Sequence, residues 1–226
     1  MLDPQIIRTN KGLKFKKNII SRNDTRIFYE SSDPRHVIVH FTDPDNALGW
    51  GAMQNRFNEF LYQKLTCIGI DHHFIRTLNM KEQLVLNADP LQFYVVVRHI
   101  LSDELSDKFG IVKGLSLPLC IPEFYVGSQM VTKEYISAFG WLSKDDLSDL
   151  CDTLQRMNDF LIGLFLGFKM RLGHYPVQFG YDEGVDFFDH GKFIVIDSFD
   201  LEKTAIFDDE TGALLSPHEI IARLTN

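Results

Sequence analysis

Cysteine is scarce in this chain, positive charge is outnumbered, and no apolar run is long. The three cysteines among 226 residues, Cys67, Cys120 and Cys151, lie far apart. That spacing gives neither a metal-ligand pattern nor an even disulfide framework, so reduced thiols and a cytoplasmic setting are expected. Lys and Arg number 23 against 31 Asp and Glu, for a net charge of -8. This balance disfavours nucleic acid as a partner, because that affinity comes mainly from cations on phosphates. No apolar run reaches the ~20 residues that span a bilayer, so no membrane partner is expected. Met1-Leu2-Asp3-Pro4 lacks the basic-then-apolar layout of a signal peptide. Internal repeats, low-complexity stretches, a glycine-rich phosphate loop and an evident nucleophile–base pair are all missing.

What is present is core-forming. Hydrophobic residues make up 45% of the chain and phenylalanine alone contributes 19. That suffices for one large domain or two small, closely packed ones with an aromatic core. Residues 1–18, with Lys11, Lys14, Lys16 and Lys17, read as a solvated arm. Ile19–Glu30 and His36–Phe41 read as strands of a hairpin around a Ser-Ser-Asp-Pro turn. Residues 43–51 read as a loop and Ala52–Cys67 as an amphipathic helix stopped by Gly69. His72 and His73 are adjacent with no third ligand at helical spacing, so a solvated loop is expected there, not zinc. Short strands follow at 74–78 and 83–86. Ile121–Val131 is extended and Tyr135–Gly140 a short helix. Ser143 caps the longest helix, to about Gly167, whose apolar stripe includes Leu147, Leu150, Leu154, Met157 and Leu161. Strands at 177–181 and 192–197 and a final helix at Pro217–Leu224, capped by Ser216, complete the reading.

The stretch Leu91–Gly114 organises the rest. Phe93 to Val97 is an apolar, β-branched and aromatic run that predicts a buried strand, and Arg98 follows at once. An arginine there presents a permanently charged five-donor fork, suited either to a phosphate or carboxylate ligand or to a structural carboxylate. The pattern Val-Val-Arg98, with Gly110-Ile111 and Gly114 downstream, resembles SAICAR synthetase, which joins aspartate to a carboxyaminoimidazole ribotide using ATP. Met130-Val131, Phe139-Gly140-Trp141, Asn158-Asp159, Phe179-Gly180 and the Asp-Asp-Glu-Thr-Gly run at 208–212 extend the likeness. The resemblance implies an α+β fold with a small N-terminal antiparallel β layer packed on a larger α+β lobe and a cleft between. It places an arm at 1–18, the β-rich lobe at 19–88 and the larger lobe at 89–226.

The family's functional positions match less well. Its Gly-Lys-x-Lys segment, which neutralises ATP phosphates, aligns with Asn23, Asp24, Thr25 and Arg26. After Arg98 its Asn and Ala-Ala-Gly-Ser loop for the ribotide phosphate give way to His99, Ile100, Leu101, Ser102, Asp103 and Glu104, which read as an acidic, bulky loop and a poor phosphate cradle. Its Asp-Phe-Lys-x-Glu-Phe-Gly segment becomes His174 to Gly180, with Pro176 for the lysine and Gln178 for the glutamate. By resemblance, Arg26, Arg98, His174 and Gln178 are the candidate substrate- or nucleotide-binding residues, and Asp197 a candidate Mg²⁺ ligand; His174 reads equally as a surface-turn histidine. Phosphoryl transfer depends on positioning and charge neutralisation. ATP and Mg²⁺ are therefore doubtful on this reading. The expectation is a divergent enzyme binding a small anionic, nucleotide-like ligand. Its alternative is a non-catalytic subunit on the same fold that binds a protein partner, with Trp50 and Phe187-Phe188 as candidate surface. A homo-oligomer is compatible with both, and ordinary SAICAR synthetase activity ranks last.

Overall fold

The structure is a computed structural model and describes residues 7–9, 12–14, 18–44, 47–101, 103–182, 193–196 and 199–225. Asp197 and Phe187-Phe188 lie outside the described residues. The chain divides into two compact units, one of residues 1–55 and 74–87, the other of residues 56–73 and 88–226.

In the first unit, β1 (Ile7–Thr9) and β2 (Gly12–Lys14) form a two-stranded antiparallel ladder. The main sheet contains β3 (Ile19–Arg22), β4 (Arg26–Glu30) and β5 (His36–Phe41). After α1 (Trp50–Cys67) come β6 (Phe74–Asn79) and β7 (Glu82–Leu86), giving the order β3-β4-β5-β7-β6. Every pairing in it is antiparallel. Val37, Val39, Phe41 and Val85 form its core with Phe28 packed against them. The turn before β5 is held by Asp33, whose carboxylate accepts from the Arg35 backbone at 3.0 Å and its guanidinium at 2.9 Å.

Asp43 organises the entry to α1. Its carboxylate accepts from the backbone N–H of Gly49 at 3.1 Å, from that of Gly51 at 2.8 Å and from Lys81 Nζ at 2.7 Å. Orphan amides at a helix start favour a carboxylate. The Lys81 hydrogen bond, then the Gly51 and Gly49 amides, hold the Asp43 carboxyl down at about 2. A depressed folded-state pKa contributes stability that is present above the unfolded value near 4 and is lost as pH falls toward the folded one. Asp43→Asn is therefore expected to lower the melting temperature at pH 7, with the gap from wild type closing between about pH 4 and pH 2. A gap constant across that range would remove Asp43 from the acid response.

The second unit is built on β8 (Ala88–Ile100), β9 (Ser116–Val126), β10 (Gln129–Val131), β11 (Met170–Asp182), β12 (Phe193–Ile196) and β13 (Ala205–Asp208). Their order is β10-β9-β8-β11-β12, with β13 also on β11 and all pairings antiparallel. The helices are α2 (Asp103–Phe109), α3 (Lys133–Ala138), α4 (Lys144–Gly167) and α5 (Pro217–Leu224). Ser143 caps α4 by accepting from Asp146 N, and Leu147, Leu150, Leu154, Met157, Leu161 and Phe165 are its buried stripe. That stripe packs on β11. Tyr175, whose hydroxyl donates to Asn158 Oδ1 at 3.4 Å, marks the α4 side of the sheet. Phe93, Val95, Val97, Tyr175, Val177 and Phe179 are all buried.

The α+β architecture expected from the resemblance is borne out. Two strands run longer than the local pattern predicts, since β8 and β11 each extend to 13 residues. Gly173, the surface-turn candidate His174 and Pro176 precede the strand expected at 177–181, yet all three lie inside β11. A Cβ at Gly173 would come within 2.5 Å of the Phe207 ring, so the glycine makes room for β13 rather than ending the strand. The acidic loop expected after Arg98 is instead the start of α2, with exposed Asp103 and Glu104 in its first turn. Carboxylates are favourable there because they face the amide end of the helix. No helix among the described residues is long and apolar enough to cross a membrane.

Candidate functional site

Strand alternation sorts the second sheet into two faces. With Phe93, Val95 and Val97 turned to the α4 side, Tyr94, Val96 and Arg98 take the opposite one. Register adds their neighbours: Arg98 is opposite Ile121 and His174, Val96 opposite Glu123 and Pro176, and Tyr94 opposite Tyr125 and Gln178. Three of the five residues singled out in the sequence, Arg98, His174 and Gln178, thus share one face. Arg26 belongs to the first unit.

Arg98 and Glu123 form a two-pronged ion pair on this face. Nε donates to Oε1 at 3.0 Å and Nη2 to Oε2 at 2.9 Å, with side chains only 11% and 9% exposed. The fork is the geometry in which guanidinium and carboxylate bind most strongly. It uses two of the five guanidinium N–H groups. Tyr125 donates its hydroxyl to Glu123 Oε2 at 3.0 Å, and its ring stacks on Tyr94 with centroids 5.5 Å apart. Tyr94 in turn donates to the Gly127 carbonyl at 3.1 Å. The carboxylate hydrogen bond raises the Arg98 pKa further, and burial pushes the Tyr125 phenol up.

His174 is half-buried beside this pair. Burial first, then the Arg98 charge, lowers its imidazole pKa, with Glu123 opposing. The ring is therefore neutral near pH 7. Gln178 donates its amide Nε2 to the carbonyls of Leu91 at 2.8 Å, Phe93 at 3.0 Å and Phe179 at 3.1 Å. That nitrogen is committed to the backbone, at a point where the β8–β11 register shifts between Gln178 and Gly180. Ile196, which precedes Asp197 in the chain, pairs with Gln178. Arg26 is buried on β4 with its guanidinium carbon 5.5 Å from the Phe41 ring centroid.

Glu123 and Tyr125 were missed by sequence reasoning. They sit in the Ile121-Pro122-Glu123-Phe124-Tyr125 alternation, which predicts a strand but not which strand lies beside it. Among the described residues no group of three or more His, Cys, Asp and Glu side chains is placed to hold a metal ion. Mg²⁺ needs no such cluster, since it takes one or two carboxylates together with substrate phosphates.

Fold and face together define an α+β protein of two units whose larger sheet carries an arginine–glutamate fork. The chain belongs to the SAICAR synthetase family, whose model matches residues 20–214. It is 35% identical over 211 residues to the phosphoribosylaminoimidazole-succinocarboxamide synthase of Hyphomonas neptunium, covering 87% of this chain and 81% of that one. It is 37% identical over 179 residues to the enzyme of the same name from Rhodospirillum centenum, covering 73% and 70%. The crystal structure of the Ehrlichia chaffeensis synthase superposes with a TM-score of 0.83, covering 92% of this chain and 98% of that one at 24% identity. A SAICAR synthetase in complex with ADP superposes with a TM-score of 0.80, covering 92% and 97% at 18% identity.

These matches overturn the expectation of a divergent, altered-substrate or non-catalytic protein. They also overturn the doubt about ATP and Mg²⁺. The acidic residues at the family's phosphate-binding positions would oppose ATP and ribotide only if they faced the substrate away from water. Asp24 is exposed on the loop before β4, and Asp103 and Glu104 are exposed on α2. Lys113 lies 3.9 Å from Asp103, an added positive charge beside that carboxylate. Repulsion from such groups is weakened by water and salt.

Proposed function

We propose that this chain is an ATP-dependent ligase with SAICAR synthetase activity, forming an amide between the carboxylate of a carboxyaminoimidazole ribotide and the amine of aspartate. The observation that carries this reading is 35–37% identity to named synthases over most of the chain, with Val-Val-Arg98 kept. ADP in a relative of the same fold supports ATP as the energy source. Arg98 is assigned to an anionic group of the ribotide, through the guanidinium N–H groups that Glu123 does not take. Arg26 is assigned to a nucleotide phosphate. Neutral His174 beside Arg98 suits an uncharged hydrogen-bonding contact to substrate. Asp197, with the side-chain carbonyl of Gln178, would hold Mg²⁺ together with substrate phosphates, and the ion would neutralise charge there. The partners are small anionic substrates, and the three free thiols accord with a cytoplasmic setting.

The test is product formation from the ribotide, aspartate and Mg²⁺-ATP, read with the melting temperature. Ligand at a hundred times its dissociation constant adds about 2.7 kcal/mol of stability. The expected result is amide product in step with ADP and a clear upward shift with Mg²⁺-ATP. Neither product nor shift at millimolar substrate would overturn the reading.

A further inference from the structure

The Arg98–Glu123 fork poses a problem for any anion site on this face. A carboxylate bound to the arginine cancels most of its net charge, yet it also fixes the guanidinium plane. Which effect governs depends on how constrained the pair is. Both side chains are almost fully buried, and Glu123 is gripped from both sides, by Arg98 at 3.0 and 2.9 Å and by the Tyr125 hydroxyl at 3.0 Å. Tyr125 is itself immobilised by its stack on Tyr94, which is tied to Gly127. The chain of contacts therefore runs from the β9–β10 turn to the guanidinium, with rings and forks at each step. Flexible arginine loses most of its rotamer freedom when held this way before ligand arrives.

We propose that Glu123 is a positioning residue for the ligase reaction, fixing the Arg98 guanidinium so that its remaining N–H groups meet the anionic group of the ribotide. Tyr125 acts behind Glu123 by holding its second oxygen. The inference rests on the assignment of Arg98 to the ribotide made above. A short, doubly bonded guanidinium offers directed donors, and their value in binding comes from alignment that is already in place. Glu123 touches no substrate in this arrangement, so its effect is confined to the ligand that Arg98 meets.

The experiment compares wild type with Glu123→Gln and Tyr125→Phe. It uses steady-state kinetics for all three substrates, calorimetric titration with the ribotide, and thermal melting. Glutamine keeps the size of the side chain but loses the charged fork. The expected result is a rise of about tenfold in ribotide KM and Kd for Glu123→Gln, which loosens the guanidinium directly, and about threefold for Tyr125→Phe, which acts on it only through Glu123. KM for ATP and aspartate should stay within about twofold of wild type. Ribotide binding that is unchanged or tighter in Glu123→Gln would overturn the proposal, since Glu123 would then merely screen Arg98. Equal losses for all three substrates alongside a fall in melting temperature would overturn it too, by making the role structural. If Glu123→Gln fails to fold, Tyr125→Phe decides by the same split. Wild type that binds ribotide without making product, and loses that binding in the variant, would sink the ligase reading while sustaining the positioning role. No ribotide binding by wild type overturns both.

Discussion

Replacing Arg98 by alanine is expected to remove ribotide binding and to cost stability at the same time. The substitution leaves Glu123 nearly buried with its main partner gone. Breaking one side of a buried ion pair costs about 3 kcal/mol, because the stranded charge keeps its desolvation penalty without compensation. For a chain of this size that lowers the melting temperature by about 6–12 °C. Loss of a charged hydrogen-bond donor to an anion costs a further 1.5–3 kcal/mol per bond in substrate affinity, or about tenfold to a hundredfold. The two losses are separable. Arg98→Met combined with Glu123→Leu replaces the pair by apolar side chains of similar length, an exchange that is often neutral or stabilising in protein interiors. The double variant should recover most of the lost melting temperature and none of the ribotide binding. Recovery of both would show that Arg98 serves the sheet alone.

Gly51→Ala carries the second large effect. Gly51 stands in the first turn of α1, beside the end of β5. A Cβ added there would lie 2.3 Å from the Phe41 carbonyl oxygen and 2.8 Å from its carbon. Both are backbone atoms of a strand paired on each side, so neither can move aside as a flexible side chain would. The helix start has to shift instead, and with it the Gly49 and Gly51 amides that Asp43 holds. Overpacking of this kind costs about 3 kcal/mol, outweighing the roughly 1 kcal/mol that alanine gains over glycine in a helix. Gly163, on the exposed side of α4 with nothing within 4 Å of an added Cβ, is the control. Gly163→Ala should raise the melting temperature by about 2–4 °C while Gly51→Ala, at a net loss of about 2 kcal/mol, lowers it by about 4–8 °C. A neutral Gly51→Ala would mean that α1 can pivot freely about its first turn.

The site was half legible before folding. Arg98 could be singled out because an arginine closing an apolar run is rare and costly to bury unpaired. Its partner could not, because Glu123 lies on another strand and only the β8–β9 register sets Val96, and hence Arg98, beside it. Gln178 was visible as a replacement in a family segment, but not as an amide that clamps three carbonyls at a register shift. Asp103 and Glu104 read as a loop in sequence because α2 has only seven residues, too few for an apolar period to show. Short helices carry little periodic signal and take their stability from packing.

By itself the sequence determined the long capped helix α4, the buried strand through Phe93–Val97, the capped terminal helix and the family, because local periodicity, capping chemistry and ordered motifs are properties of neighbouring residues. Only the tertiary structure decided which carboxylate holds Arg98, which acidic residues stand in water, and why Gly51 and Gly173 are glycines. Those depend on contacts between segments far apart in sequence, where distance and dielectric are set by packing.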